Sequence, residues 1–174
     1  QSLGIVMDAL RSVVSETFSA VAAPIQYAAL EAYTRFDESR PFIQKTCEIH
    51  QFAQEYLYSR FKGMGLNCPK PEGSFYQFPD FEAYRGVLRE HGVLTCTKLC
   101  RLLLDDAKVA LLPGADFYLP VTHFGVRAAA VDYDGAAVLD AWPGRESVTA
   151  DDAQRFLPRM VAGCDALERF LAGL

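Results

Sequence analysis

Apolar positions recur at helical spacing from the start of the chain, at Leu3, Val6, Met7, Leu10, Val13 and Val14. They predict a first amphipathic helix over residues 3–14. The run SETFSA, made of residues that favour caps and turns, ends it. Pro24 suits the first position of a second helix, where the N–H it lacks has no partner in any case. That helix carries Ile25, Ala28, Ala29 and Ala32 and fades near Arg35. Ser39 reads as an N-cap before a long helix over 41–62, with Phe42, Ile49, Phe52, Ala53, Tyr56 and Phe61 on its stripe. Gly63 is the expected left-handed stop.

Beyond Gly63 the period shortens. NCPKPEG is turn material, and SFYQFPDF follows as a strand that ends at Pro79 or lies at an edge. A short helix over 81–91, closed by Gly92, and a second over 97–107 lead into an apolar strand over 108–112. Pro113-Gly114 is a turn pair, and FGVRAAAVDY is the next strand. A helix over 135–141 stops at Pro143-Gly144. The last helix, over 151–171, carries Phe156, Leu157, Met160, Val161, Cys164, Leu167 and Leu171 inward. Thr149 and Asp152 form a capping box, and Pro158 should kink this helix or delay its start. The sum is an α+β domain: about three strands in a short, mainly antiparallel sheet, packed with helices.

Arg127 is the odd residue in this pattern. Alternation puts Phe124, Val126, Ala128 and Ala130 on one face of its strand, and Gly125, Arg127, Ala129 and Val131 on the other. An arginine is rarely buried unless something pairs with it. Small neighbours on its own face leave room for a planar anion against the guanidinium fork. From the pattern alone two readings stand: a ligand site, or a structural arginine paired with an Asp or Glu elsewhere in the fold.

Composition narrows the partners. The 174 residues are 51% hydrophobic, 22% charged and carry a net charge of −5, with a pI near 5.2. This argues for a globular chain and against nucleic acid or an anionic membrane as partner. No run is long and apolar enough to span a membrane, and no signal peptide is visible. Cys47, Cys68, Cys96, Cys100 and Cys164 are odd in number and scattered, as expected of reduced thiols in an intracellular, cytoplasmic protein. No metal site is expected, since Cys96 and Cys100 lack a second ligand pair. His50 and His91 read as solvent-facing and His123 as either exposed or buried. No catalytic triad, phosphate loop or carboxylate pair is present. Gln1 in place of a methionine leads us to expect a processed chain or a piece of a longer one.

Four stretches, in order, resemble the C-terminal part of the fold-type I, pyridoxal-phosphate-dependent aminotransferases (class I/II, aspartate aminotransferase-like). SAVAAPIQYAAL at 19–30 is similar to S-x-V-S-x-P-x-Q-x-A-A, and PEGSFYQFPDF at 71–81 to P-x-G-x-F-Y-x-F. VALLPGADF at 109–117 resembles V-x-x-x-PG-x-x-F, and FGVRAAAV at 124–131 the strand whose arginine grips the substrate α-carboxylate. The resemblance implies a helical connection over 1–38 from a large cofactor-binding domain, and a small C-terminal domain over 39–174. It implies amino-group transfer between an amino acid and a 2-oxo acid in a homodimeric parent. Arg127 would bind the substrate carboxylate, with Tyr76 and Phe117, and also Phe75, lining its entrance. The family holds its cofactor as a Schiff base on a lysine that lies before the first residue of this chain. Lys45, Lys62, Lys70, Lys98 and Lys108 do not stand in a matching context. The expectation is therefore a fragment without catalytic or cofactor-binding residues, inactive alone. Where the family has a glycine after PG-x-x-F, this chain has Tyr118. The competing expectation is a stand-alone α+β binding or dimerisation module in which Arg127 is structural.

Overall fold

Three short antiparallel strands place Arg127 at the middle of a sheet. In a computed structural model, which describes residues 2–18 and 20–174, β1 is Tyr76–Gln77, β2 is Leu112–Pro113 and β3 is Val126–Ala129, in the order β1-β3-β2. Gln1 and Ser19, the latter the first residue of the first landmark, lie outside the described residues. Tyr76 pairs with Ala129 and Gln77 with Ala128, while Leu112 pairs with Arg127 and Pro113 with Val126. The alternation expected of β3 holds: Phe124, Val126, Ala128 and Ala130 are buried, and Ala129 and Val131 are exposed.

The strands are shorter than their apolar runs. Before β2, Lys108 adopts a left-handed conformation (φ 58°) that closes a π-helical turn over Leu103–Ala107, so the ladder begins only at Leu112. Pro113 belongs to β2, and the turn starts at Gly114. Around β1, Asp80 makes isolated bridges to Asn67 and Gly125, and Pro79 offers only its carbonyl, which accepts from the Val126 N–H at 3.0 Å. β1 is an edge strand, as the proline requires.

The chain divides into two compact units, the first ending at Ile43 and the second comprising Gln44–Leu174. In the first, α2 (Ala23–Thr34) forms where the pattern predicts it, and α1 (Ser2–Thr17) runs past residue 14 into the SETFSA stretch expected to end it. No described side chain of this unit is buried, and the α1 stripe, Leu3 and Leu10 included, is exposed. Ser39 is not an N-cap: α3 runs from Phe36 to Gly63 and takes both Ser39 and Pro41 inside it. Pro41 is the sixth residue of this helix, past the four N–H groups that lack partners in any case, so it removes one intrahelical bond.

In the second unit α3 lays Ile49, Phe52, Ala53, Leu57 and Phe61 into the core; Phe42 is exposed, and Leu57 takes the place expected of Tyr56. The left-handed stop is Gly65 (φ 76°) and not Gly63. The Leu66 N–H donates to the Phe61 carbonyl and the Gly65 N–H to that of Lys62, both at 3.0 Å. This is a Schellman closure, with Leu66 buried beside Phe61. Gly92 (φ 72°) closes α4 (Arg85–Glu90) in the same way, through Val93 to Leu88 and Gly92 to Arg89. Thr95 caps α5 (Cys96–Leu102). After β3 come α6 (Gly135–Ala141), α7 (Ala153–Phe156) and α8 (Pro158–Ala172). The Thr149–Asp152 capping box is formed, and Pro158 divides the final helix as its missing N–H dictates. Phe156, Leu157, Met160, Cys164, Leu167 and Leu171 are buried from these last helices. Arg60 of α3 ties α8 down through Asp165 at 2.6 Å and Glu168 at 3.0 Å.

Candidate functional site

The buried face of β3 anchors the sheet to the core, which leaves its opposite face to present Arg127. That side chain is half-buried. Its guanidinium lies over the ring of Tyr76 at 4.1 Å and over that of Phe117 at 4.5 Å. Tyr76 reaches it diagonally from β1, since the residue opposite Tyr76 is Ala129. Phe117 ends the 3-10 turn Gly114–Phe117 that follows β2, and Phe78 packs edge-on against it at 5.8 Å. The structure thus brings Arg127, Tyr76 and Phe117 together. The Phe75 ring lies tilted against that of Tyr76, with ring centres 4.3 Å apart.

The ionic surroundings separate Arg127 from its peers. Arg60, Arg85, Arg127 and Arg145 are the half-buried arginines among the described residues. Arg60 is held by Asp165 and Glu168, Arg85 by Glu82 and Arg145 by Glu55. Among the described residues no carboxylate pairs with Arg127 and no acceptor bonds its nitrogens. None of those nitrogens is sealed from solvent, for among the described residues the one buried unpartnered side-chain nitrogen is Arg145 Nε. Stacking on two rings contributes about 1–2 kcal/mol in total. It places the guanidinium carbon over both rings and leaves its N–H edge without an acceptor among the described residues. Such an edge suits a carboxylate, which it can meet with two parallel bonds.

Two glycines shape the turn that carries Phe117. A Cβ on Gly114 would stand 2.7 Å from the Gly125 carbonyl oxygen, the same oxygen that accepts the Gly114 N–H at 2.8 Å. A Cβ on Gly125 would meet the His123 ring at 2.9 Å. Tyr118, next after Phe117, has φ 63° and is fully exposed. A left-handed backbone is what a glycine provides without strain, and the tyrosine bears the steric cost.

Behind β3, Glu82 accepts from Arg85 and from the Phe124 N–H at 2.8 Å, and His123 Nδ1 stands 3.0 Å from its Oε1. The Arg85 guanidinium first, and then the Phe124 amide, hold the Glu82 carboxyl below the usual carboxylate range against the opposing effect of burial. His123 is therefore a partner of Glu82. His50 is not solvent-facing as its helix pattern suggests; it is half-buried, with Tyr133 Oη 3.2 Å from Nδ1. His91 is exposed.

Gln54 and Gln77 escaped the sequence reading. They are the buried polar side chains among the described residues. The available signal was positional: Gln54 falls at core spacing on α3, and Gln77 is the inward residue when Tyr76 faces out. A concavity of about 750 Å³ lies between α3 and the 70–75 loop, lined by His50, Gln54, Tyr58 and Lys70 among others. Arg127 is not part of it.

The other candidate chemistries find little support. Cys68, Cys96, Cys100 and Cys164 are buried and unbonded to one another, and burial pushes the Cys100 thiol up to about 12 and that of Cys164 to about 11. Among the described residues no three His, Cys, Asp or Glu side chains converge as a metal site, and no helix is long and apolar enough to cross a membrane. Lys62, Lys70, Lys98 and Lys108 are exposed and Lys45 is half-buried on α3. Lys108 Nζ is spent on the Asp105 carbonyl at 2.7 Å.

Comparison with known proteins is consistent across sequence and structure. The profile of the family "Aminotransferase class I and II" matches residues 4–134. An aspartate aminotransferase of Pinus pinaster is 32% identical over 109 residues, covering 61% of this chain and 20% of its own length. A probable aspartate/prephenate aminotransferase of Aquifex aeolicus is 34% identical over 112 residues, covering 64% and 27%. The solved aspartate aminotransferase of Thermotoga maritima shares the fold with a TM-score of 0.59 at 25% identity, over 95% of this chain and 32% of that one. The chain spans about a fifth to a third of the length of these relatives.

Proposed function

Because the chain belongs to the class I and II aminotransferase family, we propose that it is the C-terminal part of a pyridoxal-phosphate-dependent enzyme that moves an amino group between an amino acid and a 2-oxo acid. In this reading residues 1–38 are the helical connection to a large cofactor-binding domain, and 39–174 are the small domain. Arg127 binds the α-carboxylate of the substrate, between Tyr76 and Phe117. The parent is a homodimer, as the family resemblance implies, and cytoplasmic, as the scattered cysteines of the sequence suggest.

One observation carries the assignment of Arg127. It is the half-buried arginine whose N–H edge has no carboxylate among the described residues, while its guanidinium carbon lies over two rings. A structural arginine in an ion pair, the competing expectation, would resemble Arg60 or Arg145.

The cofactor, when bound in the parent, supplies the electron sink that makes the substrate Cα–H acidic. In this reading the cofactor is held by residues outside this chain, and the work assigned to its own residues is different. The Arg127 fork makes two parallel charge-assisted bonds to the carboxylate, which fixes the rotation of the substrate as well as its position. Each such bond is worth about 1.5–3 kcal/mol. Tyr76 and Phe117 keep the fork in plane. Closure of this domain over bound substrate would exclude water from the reacting carbon.

The test is Arg127→Lys in the full-length protein. The lysine keeps the charge but loses the fork, so one of the two bonds goes and KM for amino acids should rise by about 10- to 100-fold. An unchanged KM removes Arg127 from the substrate site.

A further inference from the structure

Two buried glutamines stand behind the Arg127 cradle and close a complete hydrogen-bond circuit. Gln54 Nε2 of α3 donates to the main-chain carbonyls of Ser74 at 3.0 Å and Tyr76 at 3.2 Å. Gln77 Nε2 of β1 donates to the Gln54 carbonyl at 2.7 Å and to Gln54 Oε1 at 2.6 Å. Gln77 Oε1 receives the Cys68 thiol at 3.5 Å. All four amide hydrogens therefore have acceptors, in a core that is otherwise apolar.

The chemistry of this circuit is more than a brace needs. An apolar pair of matching shape is close to neutral or even stabilising in place of a satisfied buried polar pair. What an apolar pair does not do is fix the rotation of a strand. The Gln54 amide takes hold of the β1 backbone on both sides of Phe75, at the carbonyls of Ser74 and Tyr76. Ser74 itself sits at φ 63°, a conformation a serine does not choose unaided. β1 is an edge strand: its ladder and the flanking bonds from Ala130 N–H to Phe75 and from Val126 N–H to Pro79 hold it on the β3 side, and Gln54 holds it on the other. The ring that this backbone carries outward is that of Tyr76, 4.1 Å from the Arg127 guanidinium.

We infer that Gln54, locked by Gln77, is a positioning residue for substrate carboxylate recognition: it sets the roll of β1 and so the plane in which Tyr76 holds the Arg127 fork. The inference rests on the proposed role of Arg127 as carboxylate clamp. A guanidinium tilted out of plane keeps its charge but meets a carboxylate with one bond in place of two. The effect falls on substrate binding and leaves the chemical step in place.

The test compares Gln54→Leu, Gln54→Met, Gln77→Met, Arg127→Lys and the double variant Gln54→Leu/Arg127→Lys in the full-length enzyme. Steady-state kinetics gives KM and kcat, and Trp142 fluorescence reports folding. Gln54→Leu should raise KM for the amino acid roughly ten-fold, with kcat within about two-fold of the parent, as expected for loss of one oriented bond. Gln54→Met, of similar length and without N–H donors, should do the same, and Gln77→Met should follow in the same direction. The double variant should show no further rise over Arg127→Lys, because both changes spoil one contact. If the Gln54 variants fold and keep the parent KM while Arg127→Lys raises it, the inference is overturned and the clamp stands. If Arg127→Lys also leaves KM unchanged, the clamp itself fails. Should no glutamine variant fold while Arg127→Lys does, the pair is a stability element only and the inference is likewise overturned.

Discussion

Replacing Tyr118 by glycine should stabilise the protein, against the usual direction of such a change. Tyr118 as a residue is 101% exposed, so removing its side chain forfeits no buried surface. Its backbone is left-handed, at φ 63°, where a Cβ crowds the following carbonyl at a cost of about 1–2 kcal/mol. Glycine removes that cost, and its greater freedom in the unfolded chain takes back about 0.4–1 kcal/mol. The balance is a gain of about 0.5–1 kcal/mol. Tyr118→Ala is the control: alanine keeps the Cβ and the strain, so its stability should stay within about 0.5 kcal/mol of the parent. Urea unfolding is read from Trp142, the one tryptophan of the chain, which is 6% exposed and packs against Phe52 and Phe156. A midpoint that rises for glycine and not for alanine, at constant slope, is the expected result. A destabilised glycine variant would refute the reasoning, since it would mean that the tyrosine ring makes contacts worth more than the strain. Equal stabilisation by alanine would refute the backbone origin of the effect.

Other outcomes follow from the same geometry. Gly114→Ala places a Cβ 2.7 Å from a main-chain oxygen that has no freedom to withdraw, and should cost about 1–3 kcal/mol in the same urea assay while loosening the turn that carries Phe117. Glu82 links pH to stability with a definite sign. Its folded pKa lies below the unfolded value, so its contribution is fully present above the ordinary carboxylate range, about pH 4.3, and is lost as pH falls through the folded pKa. Urea midpoints measured from pH 6 downward should fall less steeply in Glu82→Gln than in the parent, and parallel curves would contradict the assignment.

How far the sequence carried the fold depends on whether the deciding interaction is local. The two faces of β3 were legible because alternation is a property of the strand itself, and Phe124, Val126, Ala128 and Ala130 are buried as the period requires. The Thr149–Asp152 capping box and the break at Pro158 are equally local, and both are present. Gly63 and Gly65 were not separable by pattern. Which one turns left-handed depends on where Leu66 can be buried, and it is buried beside Phe61. Strand ends failed for a related reason: the apolar run 108–112 looks extended, yet only Leu112 finds a partner opposite, Arg127. The triad of Arg127, Tyr76 and Phe117 was reachable from the ordered motifs. The Gln54–Gln77 circuit joins residues 23 positions apart and has no signature in either segment alone.

The claim that Arg127 recognises a carboxylate through its fork is tested most directly by changing both partners. KM is measured in the full-length enzyme for an amino acid and for the same amino acid with its α-carboxylate converted to a carboxamide, with Arg127 and with Arg127→Lys. The account predicts that the amide loses about ten- to a hundred-fold or more against the parent, and that this penalty shrinks by at least about ten-fold in the lysine variant. A carboxylate preference of the same size in both proteins would contradict it.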